Sequence, residues 1–233
     1  MAAAPAERRF GDAAAAAAAL AADVAGALQA GIDARGSAGL ALSGGRSPVA
    51  FLQALSARPL PWPQVFVTLV DERWVEPASP DSNEHLLRSH LLRGPAAAAR
   101  FVPLKTAHAD PGQAIADRTQ ALAAMPHPLD VVVLGMGEDG HTASLFAGAP
   151  GIDAALDPHG SAALAAIVPP LAWHPRLSFT LAALLDARRI VLQIEGAAKL
   201  AVYARARRGA DPALPISLVL ANATVPVTVY LVG

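Results

Sequence analysis

The chain has 233 residues, 54% of them apolar, with no cysteine and a formal net charge of −1. That length and apolar content predict one α/β domain over residues 1–233. The near-neutral balance, with no basic run longer than Arg207 and Arg208, excludes the electrostatic footprint of a nucleic-acid binder, and the lack of cysteine excludes disulfides, thiol nucleophiles and thiolate metal sites.

Glu7, Arg8 and Arg9 stand ahead of an alanine run, which is not the pattern of a signal peptide, so a cytoplasmic location is expected. Residues 12–30 are strong helix formers that stop at Gly31. Short apolar runs then read as strands at 39–43, 65–71, 130–135, 177–181, 189–194 and 225–232. Helical stretches with start signals lie between them at 48–57, 82–92, 113–124, 142–146 and 197–208. The uncharged run 213–233 is long enough to raise the question of a membrane span. Its Pro215, Asn222 and Pro226, and the alternation that ends it, fit a buried helix followed by a strand. Alternating strands and helices predict a mostly parallel, Rossmann-like sheet in a three-layer α/β/α fold. Ligands would bind in the loops beyond the carboxyl ends of its strands.

Three such loops carry chemistry. After the first strand, Gly44 and Gly45 form a glycine turn, followed by Arg46, Ser47 as a helix N-cap and Pro48 at the first helical position. Backbone N–H groups, a helix dipole and a guanidinium would converge there as a phosphate cradle; the alternative is a tight turn with an exposed arginine. The second strand runs into Asp71, Glu72 and Arg73. On an extended chain Asp71 and Arg73 point one way, toward a pocket, and Glu72 points the other; the alternative is a solvated ion pair.

The third loop, 135–146 (GMGEDGHTASLF), is the most informative. Gly135, Gly137 and Gly140 are expected to let backbone approach a ligand, with His141 at the opening of the next short helix. A histidine in a glycine loop after a buried strand, with Asp139 two residues before it, suits a general base that takes a proton from water and returns it to a leaving alkoxide. Asp139 would orient either the ring or a sugar. The glycine spacing is not the dinucleotide fingerprint, since it lies mid-chain with acids where a pyrophosphate would sit. The scattered histidines offer no metal-ligand spacing, so neither cofactor nor metal is expected. Only Lys105 and Lys199 are lysines among the 18 basic residues, and Lys199 follows a strand at the start of a helix on the expected ligand edge. A phosphate contact is the reading there, surface solvation the alternative.

Segments 43–48 (SGGRSP), 71–75 (DERWV), 81–84 (DSNE) and above all 135–146 resemble the 6-phosphogluconolactonases, within the wider sugar-phosphate isomerase and deaminase superfamily. The resemblance implies a fold like that of glucosamine-6-phosphate deaminase, and hydrolysis of 6-phospho-D-glucono-1,5-lactone in the oxidative pentose phosphate pathway. It implies His141 as general base on water and Asp139 as its neighbour. Arg46, Arg73 and Lys199 would be the cations around phosphate and the developing carboxylate, with Arg176 in 175–180 (PRLSFT) as another family position. Many relatives carry a small hydroxyl residue where this turn has Arg46. The partner implied is a small sugar-phosphate lactone, with no nucleic acid, no membrane, and a monomer or weak homo-oligomer. The rivals are a sugar-phosphate deaminase or isomerase, which would place a carboxylate a few residues beyond the histidine, where 142–152 has none up to Ile152, and a non-catalytic sugar-phosphate sensor.

Overall fold

The computed structural model describes residues 4–45, 47–171 and 173–233. Arg46, expected at the phosphate cradle, lies outside the described residues.

Seven strands form the main sheet: β1 (Ala6–Phe10), β2 (Ala38–Leu42), β3 (Val65–Leu69), β5 (Arg100–Val102), β6 (Val131–Leu134), β9 (Ile190–Glu195) and β10 (Val227–Val232). Their order is β1-β10-β9-β6-β2-β3-β5, and every pairing is parallel. β2 and β6 are buried at every residue, as expected of parallel strands covered on both faces. Helices α1 (Ala13–Arg35) and α2 (Val49–Ser56) pack on each other, with α1 also against β2, β6 and β10. Helices α3 (Asn83–His90), α4 (Ile115–Ala123), α5 (Ile152–Ala155), α6 (Leu181–Leu185), α7 (Ala197–Ala206) and α8 (Pro215–Asn222) follow, and α8 packs against both α6 and α7 while α7 covers β9. The expected three-layer α/β/α arrangement with a parallel sheet is what forms.

The strand order fixes where a site can be. From β2 the chain moves outward through β3 to β5, then returns to place β6 on the other side of β2 and moves outward again through β9 to β10. The loops after β2 and β6 therefore part in opposite directions and leave a crevice at the carboxyl end of the sheet.

Several elements differ from expectation. Helix α1 passes through Gly31 and stops at Gly36, which takes the left-handed conformation at φ 80° and donates its N–H to Ile32 O. Gly31 serves packing instead, because a Cβ there would strike the side chains of Asp130 and Arg35. By composition α1 is long and apolar enough to cross a membrane, yet half of its most apolar window is buried within the fold. The expected strand 65–71 breaks at Val70 into β3 and β4 (Asp71–Arg73). β4 leaves the main sheet and joins β8 (Arg176–Phe179) and β7 (Leu164–Ile167) in a separate antiparallel sheet ordered β4-β8-β7. The expected strand 177–181 is thus β8, turning into α6 after Phe179, where Thr180 caps the helix by accepting from Ala183 N. The expected helix 142–146 does not form: Thr142 and Leu145 make an isolated antiparallel bridge, and Ala143 sits at φ 48°, outside the right-handed helical region.

A candidate active site at the switch point

A cavity of about 460 Å³ opens in that crevice. Its wall draws on Ser43, Gly44 and Gly45 after β2, Asp71 and Arg73 of β4, Gly135, Gly137 and His141 after β6, Arg176 of β8, and Lys199 of α7. Every expected site residue among the described ones lines it except Asp139, which reaches it through His141.

The histidine loop is built around its glycines, though not as expected. Gly140 takes φ 82° to close the turn and packs against Leu214, while Gly137 lies beneath the side chains of His141 and Asp139, where a Cβ would strike both. Of the three glycines in this loop, only Gly135 lines the cavity with open space over its Cα, as backbone meeting a ligand requires. Thr142 locks the loop by donating its hydroxyl to Gly135 O at 2.8 Å. Asp139 Oδ1 lies 2.5 Å from His141 Nδ1 and also accepts from the His141 backbone N–H at 3.2 Å. The Asp139 carboxyl is held below the usual carboxylate range, chiefly by that ring N–H, with partial burial opposing it. With Nδ1 donating to the carboxylate, Nε2 keeps its lone pair, and among the described residues it has no hydrogen-bond partner. Phe146 packs its ring at 4.3 Å between centroids against the imidazole and limits its rotation.

A cationic wall lines the same cavity. Arg73 and Arg176 are register partners in the antiparallel sheet, so two guanidiniums stand side by side. Arg73 Nη1 donates to Asp81 O at 2.5 Å, and both Nε groups are buried without a hydrogen-bond partner among the described residues. Burial first, and the neighbouring Arg73 second, pull the Arg176 guanidinium below its ordinary range. Two adjacent guanidiniums, that of Arg176 buried and that of Arg73 partly so, can receive a multiply charged anion. Lys199, in the first turn of α7, adds an ammonium to the same cavity. The glycine turn contributes less dipole than expected: α2 starts at Val49, Pro48 occupies the cap position, and no side chain caps the helix. Gly44 is needed for a different approach, since a Cβ there would collide with the side chain of Asn83.

Two lining residues escaped sequence reasoning. Asn83, buried at the start of α3, donates its amide to Asp71 O at 2.8 Å and to Asp71 Oδ1 at 3.3 Å. Its signal was its place in the segment 81–84. Gln193, the polar residue inside β9, donates to Ser47 O at 3.2 Å, and a lone polar side chain in an apolar strand could have flagged it.

Residues 11–228 match the family model described as glucosamine-6-phosphate isomerases/6-phosphogluconolactonase. A 6-phosphogluconolactonase of Rhizobium meliloti is 47% identical over 213 residues, which cover 91% of this chain and 92% of the relative. One from Pseudomonas aeruginosa is 48% identical over 192 residues, covering 82% and 81%. The crystal structure of a 6-phosphogluconolactonase from Shewanella baltica, 39% identical, superposes with a TM-score of 0.95 over 98% of both chains.

Proposed function

The chain belongs to the glucosamine-6-phosphate isomerase/6-phosphogluconolactonase family, and from that premise we infer that it hydrolyses 6-phospho-D-glucono-1,5-lactone to 6-phospho-D-gluconate. It is a carboxylic ester hydrolase of the oxidative pentose phosphate pathway, acting in the cytoplasm as one domain on a small sugar phosphate. The observation that carries this reading is the pairing, across one cavity, of an imidazole anchored at Nδ1 with a wall of cations that includes two arginines whose Nε groups have no partner among the described residues.

In the mechanism proposed, His141 Nε2 takes a proton from water as the water oxygen bonds to the lactone carbonyl carbon. A positioned base of this kind contributes about 10²–10⁴-fold. Asp139 fixes the tautomer and stabilises the imidazolium that forms. Loop N–H groups at the cavity wall stabilise the oxyanion. As the tetrahedral centre collapses, the bond from carbonyl carbon to ring oxygen breaks. The imidazolium returns its proton to that oxygen, and the acid released ionises to solvent. Arg73, Arg176 and Lys199 grip the phosphate, remote from the reacting carbon, and its binding energy holds the carbonyl in line. No covalent intermediate is required.

Moving protons between carbons, as a deaminase or isomerase does, needs further acid and base groups. Among the described residues Asp71 is the one carboxylate in the cavity wall.

The test uses lactone generated freshly from glucose 6-phosphate and follows 6-phosphogluconate through a coupled dehydrogenase, against spontaneous hydrolysis. Acceleration above that blank is expected; a rate equal to the blank would overturn the reading.

A further inference from the structure

Glu72 stands between two cavity residues, yet its side chain turns away from the cavity and is fully buried. Its Oε1 accepts from the backbone N–H of Arg73 at 2.7 Å and of Asn83 at 2.8 Å. Its Oε2 accepts from the backbone N–H of Glu84 at 2.8 Å and from the Ser82 hydroxyl at 3.1 Å. No cation pairs with it among the described residues. A carboxylate buried this way is costly unless its donors are needed, and burial does push the Glu72 carboxyl up against the pull of those N–H groups. An apolar side chain would fill the space but would strand four donors.

What the three backbone donors among them hold is the binding wall. One bond fixes the Arg73 peptide itself. Two more fix the opening of α3, from which Asn83 grips Asp71 and beside which Asp81 O receives the Arg73 guanidinium. The charges of Asp71, Glu72 and Asp81 together offset part of the repulsion that Arg176 meets beside Arg73. We propose that Glu72 is a positioning residue for substrate binding, acting through Arg73 and Arg176 to hold the two guanidiniums at phosphate spacing. The proposal rests on the reading of this cavity as the phosphate site of a lactonase.

The experiment compares steady-state kinetics on the fresh lactone for the native chain, Glu72→Gln, Glu72→Asp and Ser82→Ala. In Glu72→Gln an amide N–H₂ meets N–H donors, Arg73 shifts, and KM rises about tenfold while kcat stays within about threefold, the pattern of lost uniform binding. Ser82→Ala removes the hydroxyl that caps the same helix, where Ser82 Oγ accepts from His85 N, and with it one bond to Glu72, but leaves the three backbone bonds to Arg73, Asn83 and Glu84 in place. It is expected to lower thermal stability with KM within about twofold of native. An unchanged KM in folded Glu72→Gln, or an equal rise in Ser82→Ala, would overturn the proposal. If Glu72→Gln does not fold, Glu72→Asp decides, because its shorter carboxylate keeps the charge and loses the reach. KM should rise there too, and a native KM, or failure of both variants to fold, assigns Glu72 a purely structural role. Native activity in the same assay separates this outcome from failure of the lactonase reading itself.

Discussion

The hydroxyl of Ser144 donates to Asp71 Oδ2 across 2.6 Å, with both side chains buried. This bond joins the loop after β6, which carries the imidazole, to β4, which carries Arg73, while the Ser144 N–H donates to Ser178 Oγ of β8 at 3.2 Å. The imidazole and the two guanidiniums come from different sheets, and Ser144 ties them into one unit. Its proton is committed to Asp71, which makes it a strut between the two elements.

Replacing Ser144 with Ala is therefore expected to lower the unfolding free energy by about 1–3 kcal/mol, the range for a buried acceptor left unpaired. Chemical denaturation measures that loss. Pre-steady-state traces of the native chain should show no burst, and Ser144→Ala should retain turnover; abolition of turnover in a folded variant would speak for a covalent role.

Asp139 sets an acid-side dependence. Its folded pKa lies below the unfolded value, so its contribution to stability is present above the unfolded carboxylate pKa, about 3.9, and is lost as pH falls through the lower folded value. The carboxylate is 61% exposed, and solvent screening keeps the effect small. Asp139→Asn is expected to show a weaker loss of melting temperature between neutral and acid pH than the native chain. Its kcat/KM should fall about 10–100-fold, part of the span of a general base, because the ring loses the partner that fixes its tautomer. Equal acid sensitivity of the two melting curves would contradict the pairing.

If Arg176 and Arg73 grip the phosphate, as proposed, the product is a stabiliser. A saturating product, 6-phosphogluconate at about 100 times its Kd, should add about 2.7 kcal/mol, which for a chain of this size raises the melting temperature by several degrees. In Arg176→Met that rise should largely vanish, while the unliganded protein melts no lower than native, since a desolvated cation beside a like charge has been removed. Differential scanning calorimetry with and without product reads both.

The parts of the fold legible in the sequence were those set by local pattern. Runs such as VVVL and IVLQIE bury every or nearly every residue and read as strands whatever their partners. β1 was not legible because AERRF is mostly charged; it forms by adding an edge to β10, where Phe10 stacks on Tyr230 and Arg8 lies over the same ring. The antiparallel sheet was invisible because Asp71 pairs with Ser178, and no local signal reports a partner that far along the chain.

The site was legible for a related reason. Asp71 and Arg73 do share one face with Glu72 on the other, because alternation along an extended segment is local physics. The role of Gly137 was not, since what it makes room for is the His141 and Asp139 side chains folding back over it rather than a ligand. The expected helix after His141 failed because the Thr142 hydroxyl binds Gly135 O and Ala143 turns left-handed, a competition between side chain and backbone that helix propensity does not register.

The most direct test of the account compares His141→Ala with the native chain on freshly made 6-phosphogluconolactone, above the spontaneous rate, with folding checked by circular dichroism. kcat is expected to fall by about 10²–10⁴-fold while the melting rise with 6-phosphogluconate survives, because the cations proposed to bind phosphate remain. A folded His141→Ala that opens the lactone at the native rate would contradict it.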